Sequence, residues 1–411
     1  MKKIIVIGGG ASGMMSAIQA AAGGANVTLL EKMPRVGRKL SITGKGRCNL
    51  TNAADVSEVV KNLPGNGKFL FSALKKFSPA DTVNFFNRLG VATKIERGGR
   101  VFPASDDASE VIDALLRHMA IVGVDVRTNS PVTEIIAEGK KIRGVVVGRK
   151  VLTADAIILA TGGASYPATG STGDGFRFAR RLGHNVTELL PALVPLETEE
   201  DFVKDLQGLS LRNVRVKLLA DGRKVAELFG EMLFTHFGVS GPIILTLSRQ
   251  AARLLADGRF VELEINLKPA ITPEQLDARI LRDFDKFKRR TIKNSLGELL
   301  PSKLIPIILD QTYLDENRRV DDITQAERRR LVEVLRGLPL TITKTRPLAE
   351  AIVTSGGVSV KEIDPRTMQS KLVEGLFIVG EVADVDGFTG GFNLQAAWAM
   401  GYVAGTNAAG S

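Results

Sequence analysis

A strand, a glycine-rich turn, a helix and a second strand ending in a carboxylate fill the first 31 residues, and that order leaves few folds open. Residues 2–7 (Lys-Lys-Ile-Ile-Val-Ile) read as a short buried strand, 8–13 (Gly-Gly-Gly-Ala-Ser-Gly) as a tight turn, and 14–22 as a helix running back along the sheet. Gly8 permits the sharp exit from the strand, Gly10 lets a pyrophosphate approach the backbone, and Gly13 lets the helix pack closely on the strand. The phosphates then meet free N–H groups at the positive end of the helix dipole, which draws Ala11 and Ser12 into the site. The next strand, 26–30, ends at Glu31, about 20 residues on, where a carboxylate accepts both ribose hydroxyls. An acidic group there disfavours a 2′-phosphate, so the pattern predicts FAD or NAD rather than NADP.

With 411 residues the chain is long enough for two or three domains and a sizeable core. No apolar run approaches the ~18 residues that cross a membrane, and the apolar stretch before the glycines is too short for a signal peptide. One cysteine excludes an internal disulfide, so nothing points to an oxidising compartment and a cytoplasmic protein is expected. A net charge of +10 calls for a polyanionic partner or only for solubility. No metal is expected.

Residues 35–52 are basic, glycine-rich and poor in large apolar side chains, so they predict a loop over the open end of the sheet. Arg38 and Lys45 suit a phosphate or a flavin edge, and Asn49 and Thr51 offer hydrogen bonds. Cys48 is the one thiol, and Arg47 beside it is positioned in sequence to lower its pKa. It reads either as a proton donor beside a flavin or as a small buried residue.

Residues 68–89 read as helices, with Pro79 starting a new one after Ser78. Ser105, Asp106 and Asp107 cap a helix over 108–121, and strands follow at 125–127, 132–137, 142–147 and 156–160. The last runs into Thr161-Gly162-Gly163, a turn that in two-dinucleotide flavoprotein folds returns to the first glycine loop and closes the FAD site. From Pro191 alternating strand-like pieces, such as 214–218 and 261–265, suggest an antiparallel sheet or small barrel. Between them lies His236, an acid or substrate contact on one reading and a structural histidine on the other.

Residues 268–346 read as helices carrying 17 Lys+Arg against 12 Asp+Glu. Lys286, Lys288, Arg289, Arg290 and Lys293 form one basic cluster, and Arg328, Arg329 and Arg330 another. They mark either solvated helix faces or a nucleic-acid contact. The chain then returns to the first domain with a buried strand over 375–379 that ends in Gly380 and Glu381, a carboxylate suited to the ribityl chain of a flavin. Gly391, Phe392, Asn393, Leu394 and Gln395 lead into a helix over 396–404 whose free N–H groups suit negative charge on a reduced flavin ring. An extended FAD needs this second, sequence-distant site, whereas an NAD-only enzyme lacks it.

The stretches 6–13, 44–52, 160–163, 234–242 and 380–391 together resemble one family, the bacterial flavoproteins called BaiN-like, YhiN-like or aminoacetone-oxidase-like. The second and last are specific to it. The resemblance implies an α/β fold: a Rossmann-like, two-dinucleotide FAD-binding domain (1–190 and 351–411) with an inserted β-barrel-like domain (191–268 and 337–350) and a basic helical insert (269–336). It also adds Lys32, Lys39 and Gly44 to the expected cofactor contacts. Members of the family reduce a carbon–carbon double bond, either in bile-acid intermediates or in a uridine of large-subunit ribosomal RNA, giving dihydrouridine. Such a reductase needs a hydride from flavin and an acid for the other carbon, for which Cys48 is the first candidate and His236 the second.

Three functions follow as expectations: an FAD-dependent reductase of ribosomal RNA uridine, a small-molecule FAD oxidoreductase (an unsaturated steroid- or bile-acid-like reductase or an amine oxidase), and a flavin-carrying RNA-binding protein without turnover. A disulfide reductase is excluded for want of a cysteine pair. No second glycine fingerprint is present, so NADH or NADPH would dock transiently over the flavin as electron donor.

Overall fold

The computed structural model describes residues 1–410 and resolves two compact units, one formed by Met1–Leu190 together with the chain from Leu348 onward, the other by Pro191–Pro347. At the centre of the first unit is a five-stranded parallel sheet. Its order is Leu376–Ile378, Ala156–Leu159, β1 (Lys3–Ile7), β2 (Asn26–Leu30) and Asp125–Arg127. Ile4, Val6, Leu29, Ile158 and Phe377 are fully buried, as the unbroken apolar runs of a sheet covered on both faces require. The parallel order brings Gly8, Glu31, Thr161 and Gly380 to the same edge, the carboxyl ends of four neighbouring strands. Ligands of open parallel sheets bind at that edge.

Helix α1 (Ala11–Ala22) follows the glycine turn, and the C-terminal helix Phe392–Gly410 packs on it. The fit depends on small residues: a Cβ on Gly401 would lie 2.5 Å from the Ser12 carbonyl oxygen, and one on Gly405 2.3 Å from that of Ser16. Helix Ala108–Ile121 has its N-cap at Asp107, whose side chain accepts from Ser109 N–H, as expected from the sequence. Ser78 and Asp81 form a reciprocal capping box before Pro79, which stops one helix and starts the next.

The second unit is a closed six-stranded barrel ordered Leu196–Thr198, Gly238–Ser240, Arg223–Thr235, Ser210–Ala220, Val261–Asn266 and Leu338–Thr345. Helices Pro273–Lys286, Leu304–Gln311 and Gln325–Arg336 share its hydrophobic core, with Leu276, Ile280, Leu331 and Leu335 packed in one cluster with Leu263, Ile265 and Leu340.

Two expectations are corrected. The helical reading of 268–346 ends at Arg336, because Leu338, Leu340 and Ile342 alternate at a period of two and close the barrel as a strand against Val261–Asn266. Residues 35–52 are also not all loop: α2 (Arg38–Ile42) is helical and buries Leu40, and it ends at an extended Thr43 before a separate turn over Thr43–Gly46.

Candidate functional site

The glycine turn is shaped by two opposite constraints. A Cβ on Gly13 would sit 1.9 Å from the Gly8 carbonyl oxygen, so no other residue fits there. A Cβ on Gly10 would meet no protein atom within 4 Å. This open face adjoins the N-terminus of α1, whose first turn carries neither a side-chain cap nor an acidic residue. Uncapped N–H groups of Ala11 and Ser12 beside free space make a seat for a pyrophosphate.

Glu31 stands at the end of β2. Its Oε2 accepts Gly9 N–H and its Oε1 accepts Met33 N–H, each at 2.8 Å. An ionised carboxylate has about four lone-pair sites, so two remain, as many as a ribose diol needs. Lys32 is held differently from the cofactor contact the sequence suggests. Its ammonium bonds the Thr172 hydroxyl and lies 2.7 Å from Asp174, tying the end of β2 to helix Asp174–Arg181. Burial pushes the Asp174 carboxyl up, but Lys32, Thr172 and Arg177 together outweigh it and hold the group below the usual range.

Thr161, Gly162 and Gly163 form the closing turn beside β1. The Thr161 hydroxyl is buried against Gly175 with no hydrogen-bond partner among the described residues, a cost of about 1–3 kcal/mol. The open face at Gly10 and two spare acceptor sites on Glu31 lie along one sheet edge. Together they fit an extended dinucleotide of the FAD type.

The far end of that edge is a polar cluster in which Ser165 and Thr354 are buried and Lys39 and Glu381 partly so. Lys39 Nζ lies 2.7 Å from Glu381 Oε2 and 2.7 Å from Ser165 Oγ. Glu381 Oε1 accepts Thr354 N–H at 2.8 Å and Ser165 Oγ at 3.1 Å, and Ala164 N–H donates to Thr354 Oγ1 at 2.9 Å. Gly163 packs against the same groups, and Gly380 against Ser12. Glu381 thus keeps one acceptor site, enough for a single hydroxyl of a ribityl chain. Lys39 and Glu381 were legible as site residues. Ser165 and Thr354 were not: Ser165 follows the 161–163 turn and Thr354 opens the run Thr354-Ser355-Gly356-Gly357, but both reach Glu381 only through the fold.

Cys48 sits on a turn of unusual backbone. Gly44, Lys45, Gly46 and Cys48 all have positive φ, and for Lys45 and Cys48 the left-handed conformation costs about 1–2 kcal/mol each. The thiol is 0% exposed. Burial pushes it up to about 12, offset only in part by a hydrogen bond with the Thr43 side chain. The expectation that Arg47 lowers it is therefore corrected: Arg47 pairs with Glu96 at 2.8 Å, reaches Asp106 at 3.3 Å and lies over the Phe102 ring.

The loop that carries Cys48 interlocks with the C-terminal segment. Asn49, its amide oriented by its partners, accepts Gly391 N–H at 2.9 Å and donates to the Thr51 and Val101 carbonyls. Asn52 Nδ2 donates to the Gly390 carbonyl at 2.9 Å, and Trp398 Nε1 to that of Leu50 at 3.0 Å. A Cβ on Gly391 would lie 2.2 Å from the Thr51 carbonyl oxygen. Gln395, expected at the cofactor, has its side chain wholly buried: Oε1 accepts from Thr51 and Thr82 hydroxyls at 2.6 and 2.7 Å, and Nε2 donates to the Phe77 carbonyl. Asn393 likewise braces the turn at Gly387 through both amide atoms. Phe392 is buried and Leu394 half-buried, so this helix start offers a ligand its backbone more than its side chains. Arg38 is exposed on α2, and Gly44 lies against Phe102 and Asn49.

His236 lies in the other unit, exposed on the hairpin turn between Arg223–Thr235 and Gly238–Ser240, with its ring edge-on to Phe237. The basic clusters are partly spent on internal pairs. Arg328 is buried against Asp277, Lys286 bonds Glu298, and Lys293 bonds Glu316, whereas Arg289, Arg290, Arg329 and Arg330 are exposed. A third grouping, Ser370–His184–Glu362, has the distances of a hydrolytic triad, 2.9 Å on each side of the imidazole. Ser370 Oγ, however, also accepts the Leu372 and Val373 N–H groups, so its lone pairs are occupied and the arrangement is a structural tie.

Residues 2–407 match the family model described as "HI0933-like protein Rossmann domain". The chain is 36% identical over 414 residues to a 3-dehydro-bile acid delta(4,6)-reductase of Clostridium scindens, covering 100% of this chain and 99% of that protein. It is 31% identical over 401 residues to the ribosomal RNA dihydrouridine synthase of Escherichia coli, covering 97% and 96%. Among solved structures it resembles the 3-ketosteroid delta1-dehydrogenase of Sterolibacterium denitrificans, with a TM-score of 0.54, 15% identity and full coverage of both chains, a likeness of fold.

Proposed function

This chain belongs to the HI0933-like Rossmann family of FAD-dependent oxidoreductases, and on that footing we propose that it saturates a carbon–carbon double bond conjugated to a carbonyl, with a uridine of large-subunit ribosomal RNA as substrate. One observation carries the reaction class. Two relatives matched nearly end to end act on unlike molecules, yet a delta(4,6)-reductase and a dihydrouridine synthase both reduce such a bond.

When bound and reduced, FAD supplies the hydride. The chain's own residues do the rest. The α1 N-terminus holds the pyrophosphate, Glu31 the ribose and Glu381 one ribityl hydroxyl. Cys48 is the proposed proton source; its thiol is 0% exposed and packed in the core of the first unit, so Cys48→Ala decides between that role and a purely structural one. Its thiol stays protonated at neutral pH, and an enolate carbon is a stronger base than a thiolate, so transfer is downhill. NADH or NADPH, docking transiently, serves as the electron donor. The exposed arginines 289, 290, 329 and 330 support contact with an RNA backbone.

A second reading, reduction of an unsaturated steroid-like ketone, draws support from the bile-acid relative. The two separate in one experiment: delete the gene in its host, quantify dihydrouridine in purified large-subunit RNA by mass spectrometry, and complement with wild type and Cys48→Ala. Loss restored by wild type alone supports the RNA reading and the thiol's role. An unchanged level in a host that carries the modification rejects the RNA reading in favour of the second.

A further inference from the structure

The segment from Lys39 to Asn52 is fastened to the C-terminal return at both ends. Its far end is held by Asn49, Asn52 and Leu50 on Gly391, Gly390 and Trp398. Its near end is held by Lys39, whose ammonium reaches Glu381 and Ser165. Between the two anchors lies the turn with left-handed Lys45 and Cys48. Backbone strain of this kind persists only where the surroundings over-determine it. The far anchor uses backbone carbonyls and buried amides. The near anchor combines the buried Leu40 and the Gly37 N–H bond to the Gly9 carbonyl with one polar tie, the Lys39 side chain, 23% exposed and shared with the carboxylate that has one acceptor site left.

We propose that Lys39 is a positioning residue, coupling the ligand-facing carboxylate of Glu381 to the turn that carries Cys48. A hydroxyl bonding the spare site of Glu381 stiffens the carboxylate, the carboxylate and Ser165 fix the ammonium, and the ammonium fixes α2, which runs directly into the strained turn. Loss of the ammonium removes the polar tie of the near end and leaves it on Leu40 and the Gly37–Gly9 bond, while the far end stays attached. The turn then relaxes and Cys48 opens to solvent. The inference rests on the reading that this turn belongs to the reactive site, but its primary readout needs no substrate.

Cys48 is the chain's one cysteine, so thiol labelling of the FAD-loaded protein reports on this turn alone. The experiment compares alkylation of wild type, Lys39→Met, Lys39→Arg and Lys217→Met by intact mass, over low denaturant concentrations. Lys217 pairs with Glu264 in the barrel at similar exposure and serves as the control. In Lys39→Met labelling accelerates about tenfold or more with little dependence on denaturant, the mark of local opening. Lys39→Arg returns it toward wild type, and Lys217→Met leaves it unchanged. With substrate, Lys39→Met lowers kcat by about the same factor at unaltered FAD content and KM. Wild-type labelling in Lys39→Met, or acceleration that follows global unfolding, overturns the proposal. If Cys48→Ala keeps full activity while Lys39→Met still opens the turn, the coupling stands and only the thiol's chemical role falls.

Discussion

Lys39 Nζ and Glu381 Oε2 meet at 2.7 Å across 342 positions of sequence. The pair ties α2, which leads into the stretch 44–52, to the stretch 380–391, and Ser165 and Thr354 complete it. Removing the carboxylate leaves a half-buried ammonium and a backbone N–H without their acceptor. Glu381→Ala is expected to cost about 2–3 kcal/mol in the unfolding free energy and about tenfold in FAD affinity, measured by denaturant melts and flavin titration.

Gly10 and Gly13 separate ligand space from packing space. Gly10→Ala meets no protein atom and has ordinary backbone angles, so the FAD-free protein keeps its melting temperature. Its FAD affinity falls by about tenfold or more because the Cβ enters the pyrophosphate seat. Gly13→Ala clashes with Gly8 and lowers the melting temperature of the FAD-free protein itself. Paired thermal melts and flavin content distinguish the two.

The Cys48 thiol gives a pH signature. Its folded pKa, about 12, lies above the ordinary 9.0, so between those values the native state holds a proton that the unfolded chain has released. Its stabilising contribution is complete below pH 9 and declines above it, by about 1.4 kcal/mol per pH unit. Denaturant melts from pH 8 to 10.5 should show a steeper alkaline loss for wild type than for Cys48→Ala, whose own baseline carries the lysines and tyrosines common to both.

Gln395 illustrates how far the sequence could be read. The glycine-to-helix transition at 391–395 marked a ligand-facing helix start, and the fold brings that helix onto α1. The Gln395 side chain nevertheless turns inward to Thr51, Thr82 and the Phe77 carbonyl, a destination that depends on residues more than 300 positions away. Gln395→Leu should lower stability by about 1–3 kcal/mol, since it leaves the Thr51 and Thr82 hydroxyls only their longer bonds to the Asn52 and Ser78 carbonyls and removes the donor to the Phe77 carbonyl.

Local patterns were sufficient wherever the determinant was local. The glycine turn, the cap at Asp107 and the break at Pro79 all appear where the sequence indicated them. The strand at 338–345 is missed only in the residue-by-residue reading, which runs helix on to 346 after a charged segment, whereas the family resemblance assigns 337–350 to the barrel; Leu338, Leu340 and Ile342 carry a clear alternation. The charge on Cys48 was misjudged because adjacency in sequence put Arg47 beside it, while the fold turns Arg47 to Glu96 and buries the thiol.

Arg328 and its neighbours test the basic segment. Arg328 is 9% exposed and bound to Asp277, so Arg328→Ala should destabilise the barrel unit by about 3 kcal/mol. Arg329→Ala with Arg330→Ala should leave stability within about 0.5 kcal/mol. The double change should instead weaken binding to a large-subunit RNA fragment and reduce its salt slope by about two. Equilibrium binding at several salt concentrations measures both.

The reaction class is tested most directly by mixing the reduced holoenzyme, under strict anaerobiosis, with a uridine-containing large-subunit RNA fragment or an unsaturated 3-oxo steroid, and following flavin reoxidation with product mass. The account predicts that one of these reoxidises the flavin stoichiometrically and gains two hydrogens across its double bond, the RNA if the leading reading holds. A flavin that stays reduced with both and is reoxidised only by oxygen would contradict it.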